Sequence, residues 1–122
     1  MNRSQKAARY GGLAEQVAFR RYGLTPDRDS WHDARDDEGN PWDVKACMLN
    51  RDAPRFRLWQ EQHEKLREKG GGYVFVGYRP VGRGISVYDT RTVQAADLRV
   101  HFYGAGDHPK GEQLKMPPGE VF

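Results

Sequence analysis

The eight residues from Pro41 to Met48 restrict this chain more than any other stretch. Trp42, Val44, Ala46 and Met48 alternate there with Asp43, Lys45 and Cys47. A period of two is that of a β-strand, so the two sets point to opposite faces, the apolar set toward a core. Upstream, Asp36-Asp37-Glu38-Gly39-Asn40 is a turn-forming run, and Ser30–Arg35 reads as a preceding strand. If the hairpin turns near Glu38, Asp33 lies opposite Asp43 on one face. Directly opposed side chains have Cβ atoms roughly 4.5–5.5 Å apart, and like charges so placed are destabilising. A structural hairpin gains nothing from that repulsion, whereas a divalent cation would cancel both charges and accept their oxygens. Lys45, two residues beyond Asp43, shares their face. An ammonium beside two metal-binding carboxylates suits phosphoryl transfer, because it can orient an attacking water or steady charge on a phosphate. The register is the weak link, since a slip of one residue turns Asp33 to the other face and leaves Asp36 as its nearest rival. Asp-x-Lys by itself also occurs by chance in many proteins.

The remaining elements surround this hairpin. A helix is expected from about Gln5 to Tyr22, with Leu13, Ala14, Val17 and Ala18 as its apolar stripe and Gly23 as its stop. Gly11 and Gly12 weaken it and allow a break or a late start. Arg51 to Arg57 reads as a basic loop, and a second helix is expected from about Phe56 to Lys69, ended by Gly70-Gly71-Gly72. Tyr73–Arg79 is the most strand-like run and the candidate central strand. Pro80–Gly84 makes a turn, and Ile85–Tyr88 returns as another strand. Arg91–Leu98 reads as a short helix and Val100–Tyr103 as a further strand. The tail from Gly104 is rich in Gly and Pro, and periodicity leaves it open as an ordered or a disordered arm. The order implies an α/β fold with a mixed central sheet flanked by helices.

At 122 residues there is room for one compact domain, with a core over about 11–103 and a C-terminal arm over about 104–122. The net charge is only +3, but the basic residues are clustered: Arg3, Lys6 and Arg9, then Arg51, Arg55 and Arg57, then Lys65, Arg67 and Lys69. Patches of this kind suit a polyanion. Arg51, Arg55 and Arg57 directly follow the Asp43–Lys45 strand, so they would sit at the mouth of the site, where arginines hold phosphates; a merely solvated loop is the alternative. The single cysteine, Cys47, excludes an intrachain disulfide framework and fits a reducing compartment. No apolar run approaches the roughly 20 residues of a membrane span, and the basic N-terminus lacks the hydrophobic stretch of a secretory signal. A soluble, intracellular protein is expected. Zinc is disfavoured, since there is no Cys-x-x-Cys and His101 and His108 lie in a Gly-rich stretch without matching partners. His32 and His63 are candidate auxiliary acids or bases, with ordinary packing the plainer role for His63.

Taken together, Glu15 in the first helix, Asp33 on one strand, Asp43-Val44-Lys45 on the next and Gln62 on the following helix resemble the PD-(D/E)XK nuclease superfamily. The pattern is especially similar to archaeal-type Holliday junction resolvases and spans about residues 11–79. His32 stands where the motif's name expects proline, and Asp43 replaces the commoner glutamate. The resemblance implies a restriction-endonuclease-like core and a metal-dependent endonuclease acting on DNA, branched or duplex, working as a homodimer. It implies that Asp33 and Asp43 hold Mg²⁺ or Mn²⁺, with the Val44 carbonyl as a further ligand and Glu15 completing the acidic set directly or through water. Lys45 would assist the attacking water, and Gln62, or its neighbour Gln60, would support the site. Arg51, Arg55, Arg57, Arg9 and Lys6 are the expected DNA contacts. A nicking or restriction-like nuclease and a non-catalytic nucleic-acid-binding module on the same fold are the alternatives.

Overall fold

The computed structural model describes residues 3–102 and 113–122, with side chains from Ala8 onward. Helix α1 runs unbroken over Arg3–Tyr22, through both Gly11 and Gly12. It stops at Gly23, which takes the left-handed φ of 64° that a side chain would resist, while the Leu24 N–H closes back on the Phe19 carbonyl at 2.9 Å. Strands β1 (Thr25–Pro26), β2 (Ala34–Arg35) and β3 (Pro41–Met48) follow, then β4 (Phe56–Trp59), α2 (Gln60–Glu68), β5 (Gly72–Val81) and β6 (Gly84–Gln94). A 3-10 turn at Ala95–Asp97, strand β7 (Gln113–Met116) and a last 3-10 turn at Pro118–Glu120 complete the described chain. No helix is long and apolar enough to cross a membrane.

Five strands form one sheet in the order β1-β2-β3-β5-β6. Antiparallel pairing joins β2 to β3 and β5 to β6, whereas β3 and β5 run parallel from Trp42↔Gly72 to Met48↔Tyr78. The sheet is therefore mixed and flanked by helices, as the sequence implies. The middle strand is β3 rather than the Tyr73–Arg79 run expected there; β5 is the interior strand next to it, and all of residues 72–78 are buried. A strand covered on both faces must be apolar almost throughout, which is the composition of Tyr73-Val74-Phe75-Val76. One face packs Val74, Val76 and Tyr78 against Ala14 and Ala18 of α1, with Trp42, Val44, Ala46 and Met48 beside them. The other face packs Cys47, Tyr73 and Phe75 against Phe56, Leu58, Leu66, Met116 and Val121. Phe56, Leu58, Leu66, Tyr73 and Phe75 are at most 1% exposed, and each contributes roughly 1.5–3 kcal/mol by burial.

Four further expectations are corrected. The strand read over Ser30–Arg35 shrinks to Ala34–Arg35, because Asp29 to Asp33 bend into a loop tied by backbone bonds such as Asp29 N–H to the His32 carbonyl at 3.0 Å. The helix read from Phe56 starts instead at Gln60, since Phe56–Trp59 pairs antiparallel with β7, from Phe56↔Met116 to Trp59↔Gln113. The short helix read over Arg91–Leu98 is mostly strand: β6 follows β5 as far as Gln94, opposite Gly72, and only Ala95–Asp97 coil. Val100–Phe102 form no strand, and Tyr103 and His108 lie outside the described residues. Within the C-terminal arm, Gln113–Met116 is a paired strand and Val121 is 4% exposed in the core.

Candidate active site

Strand β3 sets the site. Its parallel ladder to β5 and short antiparallel ladder to β2 hold Asp43 and Lys45 on the face covered by α2 and the β4–β7 ribbon. The Ala34↔Trp42 and Arg35↔Pro41 pairing, continued one step, puts Asp33 opposite Asp43, and the Asp33 N–H donates to the Trp42 carbonyl at 2.9 Å. Asp36 has another task. Its Oδ1 accepts the Glu38 and Asn40 N–H groups and its Oδ2 the Trp42 indole N–H, all at 2.9 Å, so it closes the turn on the α1 side of the sheet.

Asp43 is 6% exposed. Its Oδ2 accepts from the Lys45 ammonium at 2.9 Å. The same ammonium donates to Gln62 Oε1 at 2.8 Å, and Gln62 Nε2 donates to the Trp31 carbonyl at 3.2 Å. Lys45 is thus held between a carboxylate and an amide that is itself oriented by the loop before β2. Gln62 reaches this position because it lies in the first turn of α2 and is buried there, 8% exposed.

Asp33 Oδ2 accepts the Val44 N–H at 2.9 Å. Burial first, then the charge of Asp43 and a hydrogen bond to its carboxyl, push Asp33 up to about 6, against the opposing pull of the Val44 N–H and Arg28. Two carboxyls this close in a sheltered place resist double ionisation. Such a pair is a fitting seat for a hard divalent cation, which restores the charge balance and takes oxygen donors. Beneath them, Tyr73 pairs with Asp43 in the β3–β5 register and hydrogen-bonds His63 Nδ1 at 2.9 Å. Burial and the Asp43 charge hold that phenol protonated, and burial keeps His63 toward its neutral form. His63 is therefore a packed partner of Tyr73, stacked on it at 5.7 Å. His32, 3% exposed, ties its Nε2 to Asp27 at 3.3 Å.

Glu15 extends from α1 toward the loop but meets Asp33 only through Arg28. The Arg28 guanidinium bonds Glu15 and lies 3.4 Å from Asp33 Oδ1. Among the described residues no three His, Cys, Asp or Glu side chains converge in a metal-holding group, so Asp33 and Asp43 stand as a pair. Arg28, Tyr73 and the Trp31 carbonyl had no sequence signal, as each arrives through tertiary contact. Arg51, Arg55 and Arg57 line a cavity of about 430 Å³ at the C-terminal end of β3, together with Cys47, Tyr78 and Lys115. Arg9 is exposed on α1, and the Lys6 side chain lies outside the described residues.

The β2–β3 hairpin with its opposed aspartates, the Asp-x-Lys strand and the glutamine on the next helix occur here on a mixed sheet flanked by helices. No curated protein matches the chain. The model of a PD-(D/E)XK nuclease superfamily domain matches residues 1–122 in full. The chain belongs to the PD-(D/E)XK nuclease superfamily.

Proposed function

We propose that this protein is an endonuclease that hydrolyses DNA phosphodiester bonds with Mg²⁺ or Mn²⁺, at a centre formed by Asp33, Asp43 and Lys45. The observation that carries the reading is the opposed, partly buried Asp33–Asp43 pair with the Lys45 ammonium 2.9 Å from Asp43. Asp33 and Asp43 would hold the cation, with the Val44 carbonyl as a further ligand and Glu15 reaching it through water. A bound divalent cation supplies a water of lowered pKa and neutralises charge on the phosphate. Lys45, kept in place by Gln62, directs its remaining N–H toward the attacking water or a phosphate oxygen. Gln62 acts on Lys45, so it positions the group that meets the substrate. Arg51, Arg55 and Arg57, with Arg9 and Lys6 on α1, would hold the DNA strand on either side of the scissile bond. A branched substrate such as a four-way junction, cut by a homodimer, is the form we favour.

The deciding experiment incubates a labelled four-way junction and a matched linear duplex with and without Mg²⁺. Cleavage that needs the metal, and that disappears in Lys45→Ala and Asp43→Ala while binding persists, supports the reading. Wild-type protein that cuts no junction, flap, single strand or duplex with either metal, in DNA or RNA, rules the enzyme out. That outcome would favour a non-catalytic nucleic-acid-binding module. One observation leans that way, for Arg28 already spans Glu15 and Asp33 and partly serves as their counter-charge.

A further inference from the structure

The cavity at the end of β3 is rimmed by unbalanced positive charge. Its rim carries Arg51, Arg55, Arg57 and Lys115 against a single carboxylate, Asp52. Among the described residues, none of the four cations is in an ion pair. Lys115 is directly opposite Arg57 in the β4–β7 ladder. Like charges facing one another across an antiparallel pair are destabilising, and β-structure avoids them unless something offsets the repulsion. Their backbones cannot move apart, because their neighbours in the ladder, Phe56, Leu58 and Met116, are anchored in the core at 1%, 0% and 6% exposure. Arg57 is also held by its guanidinium lying over the Trp59 ring at 5.8 Å.

The position of the cavity is as informative as its charge. Ala46, Cys47 and Met48 line it, so it begins one residue beyond Lys45 on the strand that carries the candidate centre. Cys47 shares the face of Asp43 and Lys45 by strand alternation. From Asp43 to Cys47 the strand rises roughly 13 Å, at about 3.3 Å per residue. A nucleic-acid strand engaged at Asp43 and Lys45 has further phosphates within that reach.

We propose that this cavity is an anion site for a backbone phosphate flanking the scissile bond, and that Lys115 of the C-terminal strand is one of its ligands beside Arg51, Arg55 and Arg57. The proposal deepens the nuclease reading and rests on it for the identity of the polyanion. It assigns the C-terminal segment a task that no sequence motif announces: β7 carries a cation to the substrate path by pairing with β4. A phosphate there would lie between like charges and relieve the Arg57–Lys115 repulsion.

The test is binding without cleavage. Fluorescence anisotropy with a labelled duplex and a four-way junction, in EDTA, gives Kd over a series of salt concentrations for wild type, Lys115→Gln and Lys115→Arg. Lys115→Gln is expected to weaken binding about 3–10-fold near physiological salt and to reduce the slope of log Kd against log salt by about 0.9, the share of one phosphate contact. Lys115→Arg restores both. The melting temperature of Lys115→Gln equals or exceeds that of wild type, because one of two facing cations is gone. An unchanged salt slope overturns the site, whether or not affinity falls. A wild type that binds nucleic acid but never cuts, together with the slope change in Lys115→Gln, leaves this site standing and removes the hydrolytic reading. A wild type that cuts normally while Lys115→Gln keeps its slope does the reverse. Absence of any nucleic-acid binding by wild type overturns both.

Discussion

Replacing Asp33 with asparagine removes one of two facing carboxyls while keeping the shape of the side chain and an oxygen for the Val44 N–H. In the folded chain this carboxyl sits at about 6, against an ordinary value of 3.8. The gap is roughly two pH units, and each corresponds to about 1.4 kcal/mol, so ionising Asp33 costs the metal-free fold at most about 3 kcal/mol. The direction follows from proton counting. Below about pH 3 the group is protonated in both states and costs nothing. As pH rises through 3.8 the unfolded chain releases its proton first, so the native state binds more protons and stability falls, until pH passes about 6 and the penalty is complete. Asp33→Asn forfeits the Arg28 contact and turns a charged acceptor into a neutral one, which together offset part of the gain. A net stabilisation of about 1–2 kcal/mol at pH 8 is expected, or about 3–8 °C in Tm for a domain of this size. At pH 3 the difference should vanish. Thermal melts followed by circular dichroism in EDTA at both pH values measure this, and added Mg²⁺ should raise the Tm of wild type but not of the variant. A variant no more stable than wild type at pH 8 would refute the claim that the two carboxyls oppose each other at a cost.

Two further outcomes are expected. Gln62→Ala removes the second partner of the Lys45 ammonium, a hydrogen bond to a charged group, and should lower the single-turnover cleavage rate about tenfold with KM within about twofold; an equal rate would show that Lys45 is placed by Asp43 alone. Deleting residues 113–122 strips β7 from β4 and removes Met116 and Val121 from the core, roughly 1.5–3 kcal/mol each by burial. Against a typical total of about 5–15 kcal/mol this should abolish or sharply lower the cooperative melt; an unchanged melt would reduce the C-terminal segment to an appendage.

Strand β3 was readable residue by residue because its two faces differ in chemistry, and a period of two carries that difference into a one-dimensional string. For α1 the reading holds in half, since Ala14 and Ala18 of the expected stripe meet the sheet, joined by Tyr10, Phe19 and Tyr22 rather than by Leu13 and Val17. Helix α2 shows where the pattern fails. Leu58 and Trp59 fall at spacings that also suit a helical face, yet Phe56–Trp59 is extended because Gln113–Met116 lies alongside. Its partner is more than fifty residues away, in a stretch whose Gly and Pro content conceals a strand. Local preference loses to a ladder of that kind whenever the pairing also buries a face, here Phe56, Leu58 and Met116.

The candidate site divides along the same line. Alternation and the turn at Asp36–Asn40 placed Asp43 and Lys45 together and set Asp33 opposite, since all three depend on contacts within about ten residues of chain. Closure of the turn by Asp36 through its own side chain removed it as a rival. The arrival of Gln62 on Lys45, the bridge of Arg28 between Glu15 and Asp33, and the approach of Lys115 to Arg57 depend on how distant elements dock. Docking is decided by which buried faces fit one another over the whole molecule, and no short window of sequence contains that information. The chain by itself determined a paired carboxylate and lysine on one face of a strand, because side-chain direction along a strand is a local property. Only the tertiary structure decided what surrounds that face, because the surrounding groups come from parts of the chain that meet nowhere but in the fold.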